Sequence, residues 1–306
     1  MRAFAWFLGL IVLALAVMAV AGYPAWLLIH PYFDFAFHRI ASRIAMLAAA
    51  IALALISRRL RLTDRASFGY GLPWRAFLRE CALGLAVGVA LMAVILLLMG
   101  LLGLRVWRAD VTLSGTLVAS LLITGLQRGL AVALLEETCL RGAMFTAVAR
   151  ESGTRFAILA TSLVYALTHF IGRYHIAPEA VNAWSGVALV AGTLKDFAEP
   201  AQIADAFVCY FAVGVLLGVV RARTGNIAAT LGLHAGFVWI ITLASEVSRA
   251  DPASRLAFLL SSWSGGGGVV GWLVSAWVLI AGVLLARFYR HRAAGRSLID
   301  ASNQRT

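Results

Sequence analysis

The sequence predicts an all-α fold: a polytopic membrane helical bundle of about eight transmembrane helices, forming a single membrane domain over residues 1–306. Three observations carry that prediction. Of 306 residues 62% are hydrophobic and 13% charged, a balance far more apolar than a soluble domain needs. The apolar residues come in unbroken runs of bilayer length, roughly 20 residues. Arginine-rich connecting segments alternate with arginine-poor ones, as loops do on the two sides of a membrane.

The first run, Phe4 to Ile29, has small residues at Ala19, Ala21 and Gly22 that suit a signal-peptidase site. Its n-region holds only Arg2, however, and its length exceeds the roughly 7–15 apolar residues of a signal peptide, so it reads as a retained helix. Further spans are expected at Ile40 to Ile56, Ala82 to Leu104, Leu117 to Thr146, Phe156 to Ile171, Ala206 to Val220, Ile227 to Ala244 and Val269 to Ala286. The longest polar stretches between them are 57–79, 172–205 and 245–268. Residues 180–193 are apolar but too short to span, which predicts an interfacial or re-entrant segment. Ser264 with Gly265 to Gly268 predicts a flexible joint before the last helix. Glycines four apart, Gly84 with Gly88, Gly214 with Gly218 and Gly232 with Gly236, predict close helix packing rather than chemistry. Residues 1–115 thus hold the first three helices, 116–245 the functional core, and 246–306 the last helix with a basic tail.

A formal net charge of +12 invites a nucleic-acid reading, but its distribution excludes one. Residues 57–79 carry six arginines and the tail after Ala286 five; with Arg2, Arg150, Arg155, Arg221 and Arg223, sixteen basic residues fall on one side against eight on the other. By the positive-inside rule both termini are expected in the cytoplasm. Lys195 is the single lysine among 26 basic residues, which suggests a GC-rich bacterial source and hence the bacterial inner membrane. Cys81, Cys139 and Cys209 have no CxxC spacing and read as small core residues, not a disulfide or thiolate metal site.

Function is carried by the few ionisable groups within the spans: Arg128, Glu136, Glu137, Arg141, His169 and His234. A charge at bilayer depth costs about 3 kcal/mol on insertion scales, which makes the adjacent glutamates a functional-site hypothesis. Glu137 and Arg141 are four apart with the acid first, the favoured arrangement for an ion pair on a helix. Glu136 is turned about 100° away and lacks a cation at the matching offset. From the ESGT turn at Ser152 and Gly153, Glu136 and His169 each lie about 25 Å along antiparallel helices, so they share a depth. His234, ten residues beyond Thr224, lies about 15 Å in and reaches that depth if the 150–155 hairpin tip projects further. Each group also has a bland reading. An intramembrane histidine can simply bond a carbonyl across a helix interface, and Arg128 reads as a structural partner or a snorkelling side chain. Together, Glu136, His169 and His234 suit two chemistries: a general base for water with imidazole support, or a catalytic zinc held by all three with an open position. The residues leave cofactor use open between none and Zn2+.

The pattern resembles the CPBP family of intramembrane endopeptidases, which includes CAAX proteases and bacteriocin-processing enzymes and is also called the Abi family. Its EExxxR motif corresponds to Glu136, Glu137 and Arg141, followed by Gly142. FxxxH corresponds to Tyr165 and His169, and HxxxN starts at His234. The resemblance covers mainly residues 116–245, with a weaker echo in FGYGLPW at 68–74. It implies that Glu136 activates the attacking water, that His169 and His234 hold that water or the oxyanion, and that Glu137 and Arg141 support the site. Two positions depart from the pattern. Tyr165 replaces Phe and adds a hydroxyl. Val238 stands where the motif has Asn, so an amide donor worth about 3 kcal/mol in comparable sites is missing unless Tyr165 supplies one.

The resemblance implies a membrane-associated protein or peptide as substrate, reached through a cavity open to the cytoplasm, in a lipid bilayer and without nucleic acid. A prenylated substrate does not suit a bacterial source. The alternative is a catalytically impaired scaffold or bacteriocin-immunity protein of the same fold, motivated by Val238. A transporter would need internal repeats or paired broken helices, and HExxH, GxGD and GxSG motifs are absent from the sequence.

Overall fold

A computed structural model describes residues 1–171 and 174–303, with side chains as far as residue 290 apart from Ser264. The chain runs through α1 (Arg2–Ile29), α2 (Phe37–Ile56), α3 (Trp74–Leu101), β1 (Arg105–Trp107), α4 (Gly115–Glu136), a π-helical segment (Glu137–Met144), α5 (Phe145–Ser152), α6 (Thr154–Thr168), α7 (Ser185–Leu194), α8 (Pro200–Thr224), α9 (Ala228–Val247), β2 (Ser248–Ala250) and α10 (Trp272–Asn303). Among the described residues seven helices are long and apolar enough to cross a membrane, with α4 through α5 counted as one, and α6 is a shorter apolar eighth. The protein is an all-α polytopic bundle.

Local chemistry explains where the bounds differ from expectation. α3 starts at Trp74, behind Pro73 at its cap, although Arg75, Arg79 and Glu80 interrupt the apolar run that hydropathy detects. α8 starts at Pro200, whose fixed φ suits a first helical position, and ends at Gly225 in the left-handed conformation. α6 stops at Thr168, so that His169 caps it instead of lying within it. The expected single helix from Leu117 to Thr146 is interrupted by the π-helical segment.

α9 sits at the centre, packed against α3 and α4, and α8 packs between α6 and α10. Small residues set these distances: a Cβ on Gly232 would lie 1.9 Å from the Cys81 carbonyl, and one on Gly84 2.3 Å from that of Ala229. The glycine pairs on α3, α8 and α9 are therefore packing faces. α7, within the short apolar stretch, lies on α1, where a Cβ at Gly186 would stand 2.1 Å from the Ala19 carbonyl.

The arginine-rich segments gather at one end of the bundle. Glu151 accepts hydrogen bonds from the N-terminal amine and from the backbone N–H groups of Arg2 and Ala3. Arg150 donates to the Arg61 carbonyl at 2.6 Å, and Ile227 N–H bonds the Gly69 carbonyl at 3.0 Å. At the other end β1 and β2 form a short antiparallel ladder. Buried Arg105 holds it there, donating to the carbonyls of Ser248 at 2.9 Å and Gly268 at 2.8 Å. The glycine joint before α10 is consequently a clamped turn, with Gly267 and Gly268 at φ of 60° and 68°.

Candidate active site

The two glutamates fall on either side of a change in helix type. α4 ends at Glu136, and the π-helical segment begins at Glu137; such i→i+5 stretches are rare and frequently occur at functional sites. Glu137 and Arg141, both fully buried, form an ion pair at 3.1 Å, as their spacing predicts. Arg141 also donates to the Gly214 carbonyl at 3.3 Å, and its guanidinium lies 4.6 Å from the Tyr165 ring centre. Arg221 of α8 donates to the Arg141 carbonyl at 2.9 Å. The wide turn is thereby tied to α6 and α8.

His234 connects this buried cluster to the other glutamate. Its Nδ1 donates to Glu137 Oε1 at 3.0 Å, because a carboxylate beside Arg141 only accepts. Its Nε2 then faces Glu136 Oε2 at 4.0 Å. That oxygen is buried and without a hydrogen-bond partner among the described residues, while the Glu136 side chain as a whole is 31% exposed. His169 donates from Nδ1 to the Tyr165 carbonyl at 2.7 Å, which sets its tautomer in the same way. The His169 ring stacks on Tyr210 at 4.0 Å between centres, and Tyr165 lies between the imidazoles, 4.3 Å from His169 and 5.8 Å from His234.

In front of these groups is a cavity of about 370 Å³ lined by Arg128, Tyr165, His169, Tyr210, His234 and Val238 among others. Glu136 is not among the lining residues; its link to the cavity is His234. From His234 the lining runs along α9 to Ser245 and on to Gly265, Gly266 and Gly267. From His234 the cavity lining therefore extends away from the arginine-rich end, whereas the resemblance implies an opening towards that end. Val238 presents its apolar side chain to the cavity one turn beyond His234.

A zinc ion, if bound, would be held by Glu136, His169 and His234, of which Glu136 Oε2 and His234 Nε2 stand 4.0 Å apart. Among the described residues no three His, Cys, Asp or Glu side chains are grouped to hold a metal ion. The sequence reading missed Tyr210 and Arg221. A tyrosine or arginine within an apolar run needs a polar partner, and that was the signal at both positions.

The arrangement defines a membrane-embedded carboxylate–imidazole site in a helical bundle. Residues 118–240 match the protein-family model described as type II CAAX prenyl endopeptidase Rce1-like. That segment contains all three motifs, and the recognition made from them is borne out: the match is to the CPBP family, a family of proteases. No curated protein and no solved structure matches the chain.

Proposed function

We propose that the protein is an intramembrane endopeptidase that hydrolyses a peptide bond of a membrane-associated protein or peptide with glutamate-activated water. The observation that carries this reading is His234, held through Nδ1 by Glu137 and facing Glu136 Oε2 across 4.0 Å with Nε2. That gap is too long for a hydrogen bond and suits a bridging water. Glu136 takes a proton from this water as the oxygen adds to the scissile carbonyl, then returns it to the leaving amine. With Nδ1 donating to Glu137, Nε2 of His234 accepts the water's second O–H, and His169, beside Tyr165 in the cavity lining, faces the substrate. The developing oxyanion is left to hydroxyl donors, Tyr165 and Tyr210, where the family motif would supply an asparagine amide. Glu137 and Arg141 position His234.

Cleavage of a membrane-anchored peptide by wild type, Glu136→Ala and His169→Ala in liposomes, with and without a chelator, tests this. Loss of cleavage in both variants and indifference to the chelator are expected. Equal cleavage by Glu136→Ala, or chelator inhibition reversed by zinc, would overturn the glutamate mechanism.

Val238 favours a second reading, a catalytically impaired scaffold or immunity protein. Cleavage of no membrane peptide by the wild type, with the fold intact, would select it. We further propose that the protein resides in the bacterial inner membrane with both termini cytoplasmic, on the arginine distribution. Cysteines introduced beside Arg61 and Asp251 should be labelled from opposite faces; labelling of both from one face would overturn the orientation.

A further inference from the structure

At the end of the bundle opposite the arginine-rich segments, two histidines that the proposed mechanism does not use stand face to face. His38 is the second residue of α2, and His175 belongs to the segment between α6 and α7. Although 137 positions separate them in the chain, their Nδ1 atoms are 3.1 Å apart. The ring centres are 4.1 Å apart, with the ring planes at 89°. His38 is half-buried and His175 exposed, so water reaches the pair. The course of α1 fixes this location: its first residues bind Glu151 among the arginine-rich segments, and α2 starts beyond its far terminus.

Packing holds both rings in place. Phe37, next to His38, is buried in a cluster with Met18, Ala41 and Leu189, and Ile176, next to His175, packs against the same cluster. Tyr174, on the other side of His175, lies over α7, where a Cβ on Gly192 would stand 2.3 Å from its ring. Each histidine is thus flanked by anchored neighbours, at the junction of the α1–α2 hairpin with residues 174–194. Two neutral imidazoles in contact share a single proton, one Nδ1 donating and the other accepting. Moving that proton to Nε2 leaves two Nδ1 lone pairs beside one point with both rings uncharged, which is the state in which histidine binds metals.

We propose that His38 and His175 form a site for a divalent transition-metal ion of the zinc, nickel or copper class, which staples residues 174–194 to the α1–α2 hairpin. With metal–nitrogen bonds of about 2.0–2.1 Å, two imidazoles on one ion lie about 2.9 Å apart at a square angle and about 3.4 Å apart at a tetrahedral one. The observed 3.1 Å falls between these limits. Imidazole suits these metals, whereas magnesium and calcium take oxygen ligands. Among the described residues no third His, Cys, Asp or Glu is grouped with the pair, so water fills the remaining positions and the ion exchanges freely. The site shares no residue with the Glu136, His169 and His234 group and stands apart from the endopeptidase reading. Without metal the two rings still meet through their shared proton, so a chelator leaves the fold intact.

The test uses the tag-free full chain in nanodiscs, with Ni2+ and Cu2+ as probes. Calorimetric titration with Ni2+ should give a saturable site whose affinity falls at least about tenfold in His38→Ala and in His175→Ala, while His169→Ala binds as the wild type does. Pulsed electron paramagnetic resonance of the Cu2+ form should show two coordinated imidazoles in the wild type and one in either single variant. Hydrogen exchange within residues 174–194 should slow on adding Ni2+ to the wild type and stay unchanged in His38→Ala. Absence of saturable binding, or binding that His38→Ala and His175→Ala leave unaltered, would overturn the site. Binding lost in His169→Ala but kept in His38→Ala would assign the ion to the cavity and overturn it equally.

Discussion

The two sides of His234 differ in kind. Behind it, Glu137, Arg141 and Arg221 are buried and bound to one another, to Gly214 or to the π-helical backbone. In front of it, Glu136 is 31% exposed and keeps an oxygen without a hydrogen-bond partner among the described residues; Glu137 Oε2 and Arg141 Nε behind it are likewise unmatched, but their side chains are fully enclosed. One imidazole spans both regions. The difference is one of access: the rear cluster sets the tautomer and aim of His234 inside the protein, and in front Glu136 has the exposure that a water and a substrate would need. Substitutions behind His234 should damage the fold, and substitutions in front of it should damage turnover with the fold intact.

The sharpest contrast comes from the neighbouring glutamates. Glu136→Gln keeps size and shape but removes the base, so cleavage should fall by about 10⁴-fold with little change in thermal midpoint. A midpoint that falls with the activity would show that Glu136 belongs to the rear cluster instead. Arg141→Met should do the opposite, leaving Glu137 buried and unpaired at a cost of about 3–5 kcal/mol. Thermal melts in detergent measure this. The double variant Glu137→Gln with Arg141→Met should recover much of the loss, because the charge and its counter-charge leave together; equal destabilisation by single and double variants would dissolve the pairing argument.

Much of this division was legible in the chain. The i, i+4 spacing gave the Glu137–Arg141 pair, and the glycine pairs gave close helix packing, which the structure realises between α3 and α9. The π-helical segment was not legible, because hydropathy and a 3.6-residue period treat Leu117 to Thr146 as one helix. The second hydrogen bond of Glu137, to His234, was hidden for a different reason: it joins residues 97 apart, and only the packing of α9 against α4 creates it. Tyr210 carried a readable signal in its hydroxyl, but its stacking on His169 is a tertiary fact.

Val238 tests the front region further. It lines the cavity one turn beyond His234, so Val238→Asn places an amide donor beside the imidazole without touching the rear cluster. A gain in cleavage of up to about 10²-fold is expected if the missing amide limits the rate, since one oxyanion donor is worth about 3 kcal/mol. An unchanged rate would mean that Tyr165 or Tyr210 already fills the role, and combining Val238→Asn with Tyr210→Phe would then reveal which hydroxyl does so. Either way the thermal midpoint should stay near that of the wild type.

The smallest effect is expected where the comparison meets helix packing. Gly232 lies two residues before His234 on the face of α9 that meets α3, and an added Cβ would come 1.9 Å from the Cys81 carbonyl. Backbone cannot yield as a flexible side chain does, so Gly232→Ala must push α9 from α3, at a cost of about 1–3 kcal/mol for overpacking. That displacement carries His234 with it, away from both Glu137 and Glu136. Stability and cleavage should therefore fall together, unlike any substitution confined to one side of the imidazole. Gly9→Ala in α1 is the control, with nothing within 4 Å of the added atom, and it should change neither melt nor rate. If Gly232→Ala lowers the midpoint but leaves cleavage intact, the aim of His234 is set by Glu137 alone, and the packing of α9 on α3 serves only to hold the bundle together.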